Sequence, residues 1–272
     1  MSGIKESKPR QLQLYDDHAI DEHMASLRYA GMIQQALLPE SHSLQALFRE
    51  YFVLYLPRDI VSGDFYYTFC NRDYLYIAAG DCTGHGVPGA LLSILGISFL
   101  NEILQSKIHN RPNRILNIMR EKVMKVLHQT GERADTKDSI DIGLCVINCK
   151  TGQMQFSGAN RPLIRVRNGE LHEYRPDLMT IGLGPVRESS FTSIDVDITE
   201  GDVFYMFSDG YSDQFGEATN KKLKHFNFKK IIERISRLPL EKQRDELEKS
   251  FREWKGKEPQ VDDVMIFGFR YN

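Results

Sequence analysis

Positions Ile20, Met24, Leu27, Gly31, Gln34 and Leu38 are separated by alternating steps of four and three, which predicts an amphipathic helix over 16–40, opened by an Asp pair and closed at Pro39. Gly31 and Gln34 weaken this seam, so it suits either a coiled-coil partner or packing on the body of the protein. From Tyr51 the period shortens. YFVLYLP (51–57), GDFYYTFC (63–70) and DYLYIAAGD (73–81) read as strands, the last two joined by a turn at Asn71, Arg72 and Asp73. A helical stretch from Val87 to about Leu127 is broken near Arg111 and Pro112. Strand patterns resume at 140–149, 153–159, 163–174 and 202–210, with turns at Thr151-Gly152 and Asn168-Gly169. Two more helices, 227–238 and 240–254, precede a last strand at 263–271.

Strands and helices in separate blocks, with hairpin turns between strands, predict an α+β fold of two antiparallel sheets flanked by helix pairs. A chain of 272 residues with no internal repeat or low-complexity linker over 45–272 reads as one catalytic domain, with residues 1–44 as an N-terminal tail and helix. Lys plus Arg number 35 against 37 Asp plus Glu, and no basic run offers a groove for a phosphate backbone, so nucleic acid is not an expected partner. The N-terminus lacks a signal-peptide core and no segment approaches the ~18 apolar residues of a membrane span, which predicts a cytoplasmic protein. Four cysteines are too sparse for a disulfide framework. On one strand Cys145 and Cys149 face the same side roughly 13 Å apart, too far to pair, and read as buried thiols.

The segment AAGDCTGHGVPGALLSILG (78–96) holds the densest chemistry: an apolar strand, an acid at its end, a glycine-rich turn and a helix. Gly84, Gly86 and Gly89 spell the dinucleotide pattern G-x-G-x-x-G, but a second helix follows where a Rossmann unit needs a strand. Cys82 and His85 have a zinc-like spacing without a second Cys/His pair. Asp81 stands at the lip of a buried strand, where an unpaired carboxylate is costly to desolvate and is normally neutralised by a cation. Asp64, Asp209 and the pair Asp262-Asp263 border other apolar runs in the same way. Each alone reads equally as a turn or cap; together they suit hard ions such as Mg²⁺ or Mn²⁺.

LPRDIVSGDFYY (56–67), GDCTGHGVPGALLS (80–93), SDGYSDQF (208–215) and DDVMIF (262–267) resemble, in order, the motifs of the SpoIIE-like branch of the metal-dependent type 2C (PPM) Ser/Thr protein phosphatases. IQQALLP (33–39) resembles the regulatory linker helix of that branch, and KDSIDIGLCVIN (137–148) with FSGANRPL (156–163) resembles its middle sheet. The resemblance implies an α-β-β-α sandwich holding two Mn²⁺ or Mg²⁺ ions, with a third at most. It places Asp64, Asp81, Asp209 and Asp262 as catalytic metal ligands, Asp81 bridging, and Cys82 as a ligand through its backbone carbonyl. Ser62, Tyr67 and Met265 depart from the family pattern without removing a ligand. Asp138 and Asp141 are either weaker ligands or strand-edge acids, Asn160 and Arg161 either a turn or a substrate contact, and His85 either a turn residue or an aid to the leaving group. The implied reaction is hydrolysis of phosphoserine or phosphothreonine on a protein by metal-activated water, the substrate being a small switch protein such as a STAS-domain anti-sigma-factor antagonist. An interaction module of the same fold and a small-molecule phosphohydrolase are the alternatives, and a homodimer through the N-terminal helix is open.

Overall fold

The computed structural model describes residues 10–106, 110–131, 136–184 and 189–271. In chain order the elements are α1 (Arg10–Leu37), α2 (Ser41–Leu47), β1 (Tyr51–Leu56), β2 (Phe65–Cys70), β3 (Tyr74–Cys82), α3 (Gly86–Gln105), α4 (Pro112–Val126), β4 (Ser139–Asn148), β5 (Met154–Ala159), β6 (Leu163–Arg167) and β7 (Glu170–Tyr174). They continue with β8 (Ile181–Gly182), β9 (Ile194–Val196), β10 (Val203–Phe207), α5 (Gly210–Asp213), α6 (His225–Ile235), α7 (Leu240–Lys255) and β11 (Val264–Arg270). The long elements agree with the sequence pattern. The short α2, α5, β8 and β9 carry too few residues for a period to show, and α1 begins at Arg10, ahead of the Asp pair.

One sheet has the order β1-β11-β10-β6-β7 and the other β2-β3-β4-β5-β9, with β8 beside β4; every strand pair is antiparallel. Side-chain alternation sorts the strands into three apolar layers. Phe204, Met206, Phe267 and Phe269 meet Ile77, Ala79 and Phe156 between the sheets. The opposite faces carry Val203, Tyr205, Phe207, Val264 and Ile266 toward Phe228, Ile232, Leu247 and Phe251 of α6 and α7. Tyr76, Ala78, Ile142 and Leu144 likewise face Leu100, Ile103, Leu116 and Met119 of α3 and α4. Because both faces are covered, β10 and β11 read as unbroken apolar runs rather than alternating ones.

α3 corrects one expectation: it is long and apolar enough to cross a membrane. Its buried residues, among them Leu92, Ile97, Leu100 and Leu104, belong to the layer under the second sheet. The cysteine reading is corrected in part as well. Cys82 and Cys145 are buried, whereas Cys70 and Cys149 are exposed, and all four are free.

The turns match their residues. Asn71 accepts the amides of Asp73 and Tyr74 at 3.0 and 2.8 Å, and Asn168 and Gly169 both take positive φ between β6 and β7.

Candidate active site

Antiparallel pairing brings the beginnings of β2, β4 and β11 and the ends of β3 and β10 to one edge of the sandwich. Asp64 immediately precedes β2, Asp81 is the penultimate residue of β3, Asp209 follows β10 by two residues, and Asp262 lies two before β11. The β3–β4 register sets Asp141 directly across from Asp81.

Tight backbone contacts hold these segments together. A Cβ on Gly89 would stand 2.4 Å from the Gly84 carbonyl oxygen and 3.0 Å from the Gly63 Cα, so the glycine-rich turn exists for close packing against the Asp64 loop. A Cβ on Gly210 would fall 1.9 Å from the Asp263 carbonyl oxygen, so the SDG and DD segments cross at a point that only glycine permits. The G-x-G-x-x-G pattern therefore has a packing role.

The carboxylates differ in their surroundings. Asp64 is buried and accepts a 2.5 Å hydrogen bond from the Ser208 hydroxyl; burial, then the nearby Asp81, hold its pKa well above the ordinary carboxylate range against that hydroxyl. Asp81 is pushed up to about 7 by burial, partly offset by Arg161 and reinforced by Asp209, Asp262 and Asp141. Burial also raises Asp262, opposed by the Asp263 amide and reinforced by Asp209. Asp263 is committed elsewhere, accepting the Arg58 and Gly63 amides at 2.7 Å each, which leaves Asp262 as the acid free to face the cluster.

Arg161 brings the opposite charge. Its Nη2 lies 2.8 Å from Asp81 Oδ2, 2.7 Å from Asp209 Oδ2 and 3.5 Å from Asp141 Oδ2, and the Asn160 side-chain amide donates to Asp141 at 3.0 Å. Asp141 thus belongs to the cluster rather than to a bare strand edge. Asp138 is half-buried, with its carbonyl bound by Gln129.

Among the described residues no three Asp, Glu, His or Cys side chains converge as a ready cage for one ion. The donor chemistry nevertheless fits hard divalent cations: carboxylate oxygens only, crowded enough that burial and mutual repulsion suppress ionisation of Asp64, Asp81 and Asp262. Zinc fits poorly. Burial, with Asp81 and Asp64 adding to it, drives the Cys82 thiol further from ionisation, and His85 Nδ1 is paired at 3.0 Å with Asp59. Cys82→Ala is expected to keep most of any metal-dependent turnover, because the backbone carbonyl survives the change; a loss beyond about tenfold in steady-state rate would assign the role to the thiol.

Sequence reasoning missed Gln34 as more than a seam position. It is buried, accepts the Ser62 amide at 3.0 Å and donates to the Ser62 carbonyl at 2.5 Å and to Ser93 Oγ at 2.8 Å. Ser62 Oγ in turn accepts the Asp64 amide at 3.1 Å. A polar residue at an inward-facing helical position was the available signal. Tyr67 and Met265, the other departures from the family pattern, lie in the core.

Two antiparallel sheets face to face, helix pairs outside them and an acid cluster at one shared edge define the PP2C class of phosphatase domain. The solved SiaA PP2C domain of Pseudomonas aeruginosa superposes with a TM-score of 0.84 at 30% identity, covering 93% of this chain and 99% of that one. The PP2C domain of SpoIIE from Bacillus subtilis gives 0.64 at 18% identity over 82% of this chain and 63% of that one, a likeness of fold. Phosphoserine phosphatase RsbU of Bacillus subtilis (strain 168) is 23% identical over 219 residues, 78% of this chain and 60% of RsbU. The family profile of Stage II sporulation protein E (SpoIIE) matches residues 71–272, and the chain belongs to that family.

Proposed function

We propose that residues 45–272 form a protein phosphatase domain that hydrolyses phosphoserine or phosphothreonine with two Mn²⁺ or Mg²⁺ ions, and that residues 1–44 form its control segment. The observation that carries this reading is the gathering of Asp64, Asp81, Asp209 and Asp262, from four separated motifs, at one sheet edge. These four would hold the ions together with the Cys82 carbonyl, Asp81 facing both and Asp141 standing next to them. When bound, the ions would lower the pKa of a water for attack on phosphorus and offset charge on the phosphoryl oxygens. Ser208 orients Asp64 through its hydroxyl. His85, held by Asp59 at the rim, is placed to protonate the departing serine or threonine oxygen.

The substrate in this reading is a small phosphorylated switch protein, of the STAS-domain anti-sigma-factor antagonist kind. RsbU, which the chain spans for 60% of its length, carries the name phosphoserine phosphatase. The experiment is hydrolysis of p-nitrophenyl phosphate and of a phosphoserine protein with added Mn²⁺, added Mg²⁺ or excess EDTA. Turnover should require metal, and full activity in EDTA overturns the reading. Preference for nucleotides or sugar phosphates over the phosphoprotein at equal concentration would instead mark a small-molecule phosphohydrolase, and no turnover a non-catalytic interaction module.

The two faces of α1 support a control role. Gly31 and Gln34, and Leu38 just past the helix end, are buried against the body, whereas Tyr29, Met32, Ile33 and Leu37 stay exposed. That exposed apolar stripe suits the same stripe of a second copy. Sedimentation of the full chain should give a dimer that deletion of residues 1–38 converts to monomer; equal masses would leave the stripe without this role.

A further inference from the structure

The turn that carries Arg161 is built for aim. At the end of β5, Asn160 takes φ 55°, donates its amide to the Asp177 carbonyl at 2.9 Å and binds Asp141 through its side chain. Arg161 donates its own amide to the Ala159 carbonyl at 2.7 Å. Gly158 allows the fold-back, since a Cβ there would stand 2.4 Å from the Arg161 carbonyl oxygen. The side chain is thereby directed over the end of β3 and the beginning of β4 to the acid cluster, where it is only 13% exposed.

How Arg161 uses its donors is informative. An arginine chosen to recognise one carboxylate presents two nitrogens as a fork. Here a single nitrogen, Nη2, serves Asp81, Asp209 and Asp141, while the buried Nε has no hydrogen-bond partner. The guanidinium therefore acts at this point as a positive charge shared among three acids, and with one donor unsatisfied it is not held at its best hydrogen-bonding geometry. Two of the three acids, Asp81 and Asp209, are those assigned to the divalent ions.

We infer that Arg161 is a resident counter-ion of the acid cluster, competing with divalent metal ions for the oxygens of Asp81 and Asp209 and so setting the metal concentration at which the site loads. This rests on the metal-dependent reading above and adds a regulator to it. Arg161 offsets part of the self-repulsion of the cluster as it folds, and an ion that enters must displace the guanidinium from those oxygens. Removing the positive charge leaves the same ligands to the ion with no rival, so affinity rises while the cluster by itself becomes less stable.

The test is Mn²⁺ titration by calorimetry of the full chain and its Arg161→Met, Arg161→Gln and Arg161→Lys variants, with melting curves in EDTA and in Mn²⁺. The two neutral variants should bind Mn²⁺ at least about tenfold more tightly, an order set by removing one unit charge a few ångströms away. They should also melt lower in EDTA and gain more from Mn²⁺ than the parent. Arg161→Lys, which keeps the charge, should stay within a few fold of the parent. Arg161→Gln, polar and close in length, carries the test if Arg161→Met does not fold. Unchanged or weaker Mn²⁺ binding in the neutral variants overturns the inference, as does a change confined to KM for phosphoprotein, which would make Arg161 a substrate contact. Asp81→Asn separates the two layers of the argument. If the parent binds Mn²⁺, Asp81→Asn does not, and the Arg161 variants match the parent, competition alone fails. If the parent does not bind, or Asp81→Asn binds equally well, the metal reading fails and the inference with it.

Discussion

Replacing Asp81 by Asn should lower metal-dependent turnover at least about 100-fold, the order expected when a charge that stabilises the transition state is lost, while the melting temperature in EDTA stays level or rises. The two effects have one cause. Asp81 is the acid assigned to both ions, and Asn keeps its volume without its charge. In the folded protein burial, reinforced by Asp209, Asp262 and Asp141, outweighs the help of Arg161 and brings its pKa to about 7 from an ordinary 3.8. The folded chain therefore keeps a proton between pH 4 and 7 that the unfolded chain releases, so this group makes stability fall as pH rises through that window, with its full cost present above 7. Asn removes that slope. The melting temperature of Asp81→Asn minus that of the parent, both in EDTA, should be larger at pH 8 than at pH 5. Mn²⁺ affinity of the parent should drop as pH is lowered through 7, where a proton competes for the carboxylate. A variant that stays active, or melts lower in EDTA at pH 8, would make Asp81 a turn residue and dismiss the bimetal assignment.

Gln34→Ala should couple α1 to the site visibly. The change strips the buried Ser62 amide of its acceptor and the Ser62 carbonyl of its closest donor, a cost of about 1–3 kcal/mol for an unsatisfied buried group, or roughly 5 °C in melting temperature for a domain of this size. Ser62 also holds the Asp64 amide, so the loss is transmitted to a proposed metal ligand two residues away. Turnover at saturating Mn²⁺ should fall at least about tenfold, in line with the sensitivity of catalysis to small displacements of a reacting group. A lower melting temperature with unchanged turnover would confine α1 to supporting the fold.

Most of the architecture was legible from periodicity. β1 through β7, β10 and β11 have enough residues for apolar runs to show, and Asn71, Gly152, Asn168 and Gly169 mark their turns. α2, α5, β8 and β9 were not legible, because two to seven residues carry no repeat and their state is imposed by neighbours. The apolarity of α3 was underestimated for a related reason: a helix buried along much of its surface loses the polar stripe that marks an amphipathic one.

At the site, the residue types and their positions at strand edges were readable along the chain, since an acid beside a run of core residues is anomalous wherever it occurs. Which acids meet was not readable. Asp141 joins the cluster through the β3–β4 register, Asp263 leaves it because two backbone amides claim its oxygens, and Arg161 enters it through a turn whose letters suit a turn or a substrate contact but not an acid partner. Gln34 likewise showed as a flaw in a heptad until Ser62 stood opposite. By itself the sequence determined the long elements, their layers and the list of charged candidates, because hydrophobic periodicity and desolvation cost are local properties. Only the tertiary structure decided the pairings of charge and hydrogen bond, because those depend on distances of a few ångströms between residues up to 220 positions apart, which the order of the letters does not contain.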